Sequence, residues 1–373
     1  LHRFDKLRSA STALAMALGL FCAEGAVAQP AAAAAPTPLE IRVVVVTTFE
    51  VGADTGDVAG ELQNWVQRYP IAETIAFPQG FHPLRYDPKD HVLAITTGVG
   101  KAHAAASIMA LGMDPRFDLT HAYWILAGIG GIDPAIGSVG SAAWAEHVVD
   151  GDLAYEIDAR DMPRGWAAGI VPYDRARPFE APTPPAVSSN GVQVFTLNAG
   201  LTRWAYELTK GVALPDDARL QAARAGYADA PAARRAPFVL VGDTLTADRF
   251  WIGASMTAWA EQWVSYWTEG KGRLATSAEE DVAYLQALSM LGQAGKVDTT
   301  RALDLRSASD FTRPPKGGSA AALLKSEATG NYAGYAEAIE AAYLVGSPVV
   351  RELAEHWDRY AVTAPVPAGL AGR

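Results

Sequence analysis

The stretch AYWILAGIGGIDPAIGSVGSAA, Ala122 to Ala143, sets how the rest of the chain is read. Its apolar run, Tyr123 to Ala127, is too short to cross a membrane and dense enough for a buried strand. Gly128-Ile129-Gly130-Gly131 reads as a corner, where a backbone without Cβ atoms turns sharply or approaches a ligand closely. The chain resumes after Asp133-Pro134 with Gly137-Ser138-Val139-Gly140 and a second apolar strand. Open α/β folds place small ligands where a strand ends in such a corner. From this stretch alone, a tight connection between two core strands is an equal reading.

Other strands end in the same way. Ile41 to Thr48 (IRVVVVTT) is β-branched and nearly uninterrupted, as a strand buried on both faces should be, and Glu50 lies just beyond it. His91 to Thr97 leads through Gly98-Val99-Gly100 into an Ala-rich helix, Ala102 to Leu111, whose N-terminus suits an anion or a ribose hydroxyl. Phe238 to Gly242 ends at Asp243, and Thr300 to Arg306 runs into Ser307-Ala308-Ser309-Asp310. If these strands are parallel in one sheet, Glu50, Thr97-Gly98, the glycine corner, Asp243 and Asp310 converge on one crevice. Taken singly, each carboxylate reads equally as a helix cap or turn acceptor. Glu280, in the first turn of a helix from Ala278 to Met290, reads by default as a dipole-favoured surface acid.

Helices are expected over Glu61 to Tyr69, Leu197 to Lys210, Asp217 to Ala225 and Ser255 to Thr268, with two more, Gly334 to Ala342 and Val349 to Tyr360, near the C-terminus. Trp259, Trp263 and Trp267 share one helical face, which reads as a core or interface stripe before a base-stacking platform.

At the N-terminus, the basic residues His2 to Arg8, the apolar run Ala10 to Ala23 and Ala26-Val27-Ala28 have the pattern of a signal peptide over 1–28. Residues 29–39 read as an Ala/Pro-rich linker, 40–363 as a single domain and 364–373 as a tail. A periplasmic or secreted location is therefore expected. The single cysteine, Cys22, falls in the leader, so neither a disulfide framework nor a cysteine metal cluster is expected. With a formal charge of −10, the chain is not expected to take nucleic acid or an anionic membrane surface as partner. His82, His91, His103, His121 and His147 are scattered singly, and G-x-S-x-G, H-E-x-x-H, P-loop and G-x-G-x-x-G motifs are missing. No metal and no cofactor is expected.

Three segments in order, VLAITTGVGKAHAAAS (Val92–Ser107), YWILAGIGGIDPAIGSVGSAA (Tyr123–Ala143) and ALDLRSASDF (Ala302–Phe311), resemble the nucleoside phosphorylase and nucleosidase fold. FVLVGDTLTADRF (Phe238–Phe250) and TSAEEDVAYL (Thr276–Leu285) fit two further segments of it. More closely, FEVGADTGD, YEIDARD and GDTLTADRFW make the chain similar to the purine nucleoside permease family. The resemblance implies an α/β fold of three layers, αβα, around a central mixed sheet. It implies that Asp310, in an R-x-x-S-D pattern with Arg306 and Ser309, contacts purine N7 and protonates it in an enzyme. It also implies that Glu280 holds the ribose hydroxyls, that Thr97 and Gly98 line the ribose or phosphate side, and that Gly130-Gly131 lie beside the base.

The phosphate loop expected after the first strand is missing, as is an arginine just before Thr97, so a phosphate would lack its bidentate partner. Hydrolytic relatives activate water with a glutamate shortly after the first strand, a role that falls here on Glu50. Two functions follow: an exported purine nucleoside-binding protein that supports uptake with a separate membrane partner, or a purine nucleosidase, less readily a phosphorylase. The fold's relatives assemble as dimers, trimers or hexamers, which implies a homo-oligomer.

Overall fold

The structure, a computed structural model, describes residues 37–367, so the leader and most of the linker lie outside the described residues. Twelve strands of the described chain join in one mixed sheet. In chain order they are β1 Val43–Thr47, β2 Glu73–Ile75, β3 Leu84–Asp87, β4 Val92–Thr96, β5 Tyr123–Ile132 and β6 Ala142–Trp144, followed by β7 His147–Asp150, β8 Val194–Thr196, β9 Val239–Val241, β10 Asp243–Thr246, β11 Leu274–Ala278 and β12 Ala302–Phe311.

Helices cover both faces, and the pleat of the central strands shows why. Val44 and Val46 of β1, Leu93 and Ile95 of β4, and Trp124 and Leu126 of β5 pack with α2 (Lys101–Gly112) and α6 (Asp281–Gln293). The alternate residues Val43, Val45, Val92, Ala94, Tyr123 and Ile125 pack on the other face with α1 (Gln63–Arg68), α3 (Ala199–Thr209) and α8 (Tyr335–Glu355). A strand buried on both sides can be apolar at every position, which is what the valine run of β1 encodes. The expected three-layer αβα architecture around a mixed sheet is therefore present. After α4 (Ala218–Ala225), α5 (Ala254–Trp267) covers one end of the sheet, with Trp259, Trp263 and Trp267 buried against Val149, Leu245 and Leu274. The tryptophan stripe is core.

The sheet forks at β5. β12 runs parallel along one edge from Trp124 to Ile132. The opposite edge is shared: β1 pairs with Tyr123 to Leu126, and antiparallel β11 pairs only with Gly131 and Ile132. Between the two partners, Gly128 to Gly130 have a free edge. This fork opens the site.

Three sequence expectations are corrected here. Gly128 to Gly131 form no corner; β5 runs straight through them because β12 pairs with each. Phe238 to Gly242 does not end at Asp243, which instead begins the next strand, β10. The two C-terminal helices are one, α8, which accommodates Pro348 inside it, with a short turn of helix at Trp357–Tyr360.

Candidate functional site

A cavity of about 420 Å³ opens at the fork, within the roughly 300–1,000 Å³ of small-molecule sites. Its floor is built around Arg306, which is 1% exposed. On β12, Arg306 pairs with Gly128, and a Cβ there would sit 2.6 Å from both Arg306 Nη1 and Glu61 Oε1. Glycine lets the guanidinium cross β5 and donate to the carbonyl of Ile129 at 2.8 Å. The Ile129 N–H, likewise without a strand partner at the fork, donates to Glu61 Oε1 at 2.7 Å. Side chains thus satisfy the backbone groups that the fork leaves open.

Arg306 also donates to Asp281 Oδ1 and Glu280 Oε2, each at 2.8 Å, and its Nη1 lies 3.9 Å from Glu61. One cation therefore serves three carboxylates. Glu61 Oε2 accepts from Thr48 N at 2.6 Å and Thr48 Oγ1 at 3.0 Å. Burial still dominates: it pushes Glu61 up to about 7, aided by the charge of Glu280, against the pull of Arg306 and two backbone N–H groups. Glu279, on the cavity wall, is raised to about 7 by burial and then by Glu280.

At the other wall β12 carries a bulge: Ala308 pairs with Gly130 and Asp310 with Gly131, which leaves Ser309 as the extra residue. Bulges re-aim side chains. Here the result is that Ser309 and Asp310 both line the cavity. Ser309 Oγ donates to Asp310 Oδ1 at 2.7 Å, and burial raises Asp310 to about 6 despite that bond. Phe49, Tyr332 and Tyr335 form an aromatic wall, with the Tyr332 and Tyr335 rings 6.1 Å apart. Phe250 and Arg249 stand at the cavity too; Arg249 is engaged by Glu156 at 3.2 Å and Asp152 at 3.4 Å.

Of the residues singled out from sequence, Asp310, Ser309, Gly130, Gly131 and Glu280 meet in this cavity. Glu280 is 3% exposed, so it is no surface acid. The other four serve elsewhere. Glu50 accepts from the N–H groups of Val51, Gly60 and Gln63 and pins the loop between β1 and α1. Asp243 accepts from His147 N at 2.7 Å and Arg273 N at 2.6 Å, tying β10 to its neighbours. Thr97 bonds the Thr47 and Gly98 carbonyls, and Gly98, at φ +88°, abuts His103 and Phe81. The N-terminus of α2 already holds anions from this chain: Gly100 N donates to Glu280 Oε1 and Lys101 N to Asp248.

In the sequence Glu61 reads only as the start of a helix. It lies 13 residues past Thr48, across a loop that no strand-end rule spans. The one signal is an acid directly before Leu62, the apolar residue that precedes α1.

The purine nucleoside permease family model matches residues 40–365. The chain is 34% identical over 272 residues to a probable purine nucleoside permease of Schizosaccharomyces pombe, covering 72% of this chain and 77% of that one. It is 29% identical over 306 residues to a purine nucleoside permease of Candida albicans, covering 80% and 73%. Among solved structures it is similar to a 5′-methylthioadenosine/S-adenosylhomocysteine nucleosidase from Neisseria meningitidis, at 15% identity and TM-score 0.49, covering 83% of this chain and 99% of that one. With the family match spanning nearly all the described residues, this chain belongs to the purine nucleoside permease family.

Proposed function

We propose that the chain binds a purine nucleoside in the fork cavity and hydrolyses its N-glycosidic bond. The observation that carries this reading is the pair of buried carboxyls, Asp310 and Glu61, both raised to near neutrality on the walls of one cavity. Protonated Asp310 donates to a ring nitrogen of the purine, and the C–N bonding pair leaves with the base. Glu61 takes a proton from water as the water oxygen bonds the anomeric carbon. Glu280, oriented by Arg306 and the Gly100 N–H, keeps lone pairs free for the ribose hydroxyls and sits near the positive charge that develops on the sugar. The aromatic wall offers the base a stacking face.

Water suits this cavity better than phosphate. Its two lining arginines, Arg249 and Arg306, are both committed to carboxylates, while Glu61, Glu279, Glu280 and Asp310 line it. The same balance favours nucleosides over nucleotides.

A second reading, binding in support of uptake, draws on the family's description as permeases. No helix of the described residues is long and apolar enough to cross a membrane. In that reading the protein is exported, works with a separate membrane partner, and assembles as a homo-oligomer. Incubation with inosine, adenosine and guanosine, with and without phosphate, separates the readings: phosphate-independent release of free base supports hydrolysis, and binding without release supports uptake alone.

A further inference from the structure

Two residues before Arg306 on β12, and so on the same face of the pleat, lies Asp304. It is fully buried, and neither carboxyl oxygen receives a hydrogen bond from any donor among the described residues. The alternate residues Leu303 and Leu305 pack on the opposite face. The face that Asp304 shares with Arg306 is covered by α6, where Asp281 and Tyr284 stand one turn apart. Tyr284 is itself buried with its hydroxyl unpartnered. The charged and titratable groups around Asp304 are therefore Asp281 and Tyr284 from α6, Glu280 at its start, and Arg306 from its own strand. β5 presents Leu126 opposite Asp304.

An ionised carboxylate without a donor in such a place is prohibitively costly, and the cation near it is already bonded to Asp281 and Glu280. Burial and the Asp281 charge both act to keep the proton on Asp304. We propose that Asp304 is a positioning residue that donates its carboxyl hydrogen to Asp281 and, through Asp281, sets the place of Arg306. By supporting the Asp281 charge it limits the pull of Asp281 on Arg306 and leaves the guanidinium within reach of Ile129 and Glu61.

Two variants test this. The first measurement needs no substrate, so it stands or falls independently of the proposed hydrolysis. Thermal unfolding of Asp304→Asn is compared with the parent across pH. An aspartate raised in the folded state gives stability that is present below the ordinary aspartate range and lost as pH rises. The variant is therefore expected to melt higher than the parent at neutral pH, with the difference vanishing in acid. A variant that melts lower at neutral pH, with the deficit growing as pH rises, would mean an ionised, paired Asp304 and would overturn the proposal.

The second measurement rests on the proposed function and compares pH profiles of nucleoside hydrolysis. Asp304→Asn, which keeps a neutral donor, is expected to retain the parent profile. Asp304→Leu, which does not, is expected to raise Glu61 as Arg306 withdraws from it. That lowers the maximum and moves the alkaline limb upward, because a larger share of the enzyme then holds its proton on Glu61. Equal profiles for Asn and Leu would contradict the positioning role while leaving hydrolysis itself intact.

Discussion

Arg306 crosses the face of Gly128, and the site depends on that crossing. The guanidinium reaches Ile129 only because residue 128 has no Cβ to meet its Nη1. In Gly128→Ala, the methyl group would collide with both Arg306 and Glu61, neither of which is free at its far end. Overpacking of this kind costs about 1–3 kcal/mol. The expected outcome is a lower denaturant midpoint together with weakened nucleoside binding; unchanged binding would show that the Arg306 position is unimportant to the cavity.

Glu61 and Glu50 are separable by substitution. Glu61→Gln removes the group assigned to activate water, so hydrolysis should fall by roughly 10²–10⁴-fold with binding retained. Glu50→Gln should loosen the loop that Glu50 pins through three backbone N–H groups, lowering the melting temperature with turnover largely kept. Steady-state kinetics and melting curves on the two variants check the assignment, and a turnover loss at Glu50 alone would reverse it.

The pH dependence follows from the two carboxyls. In the proposed hydrolysis Asp310, raised to about 6, would act when protonated, whereas Glu61, raised to about 7, would act when ionised. Below about 6 the proton on Glu61 limits the rate, and above about 7 the loss of the proton on Asp310 does. A narrow bell with its maximum between these values is expected in kcat/KM. Asp310→Asn, which cannot release a proton to the base, should lower the whole curve; a profile flat across this range would exclude both roles.

Glu327, outside the residues that line the cavity, gives a stability prediction. It is buried on α7 (Ala320–Ala328) with both oxygens unpartnered, and burial, then the Asp310 charge, raises it to about 8. Its folded form prefers the proton, so its contribution is complete below the ordinary glutamate range and is lost as pH rises toward about 8. Glu327→Gln should therefore gain melting temperature over the parent as pH rises. A gain that is instead largest in acid would contradict this.

Much of the architecture was legible because burial on two faces leaves a mark in sequence: the valines of β1 and the apolar starts of β4 and β5 need no context to be read. The R-x-x-S-D segment was legible too, since Arg306, Ser309 and Asp310 all come from one strand. What was not legible depends on pairing between distant strands. Gly128 to Gly131 have turn chemistry, but β12 holds them extended. Asp243 follows an apolar run, but β10 begins there and its carboxyl turns to His147 and Arg273. Glu61 reaches the site across a loop whose length local rules cannot foresee, and Glu50, nearer in sequence, is consumed in holding that loop. The gap expected between Ala342 and Val349 is closed because Tyr343, Val345, Val349 and Val350 of α8 pack as one face against the sheet around Pro348.

The water-activating role of Glu61 is tested by incubating a purine nucleoside with the protein in the absence of phosphate and identifying the sugar product by mass. Free base together with unphosphorylated ribose is expected, and both products should be lost in Glu61→Gln. Nucleoside bound but unchanged, or base released only when phosphate is added and accompanied by ribose 1-phosphate, would contradict it.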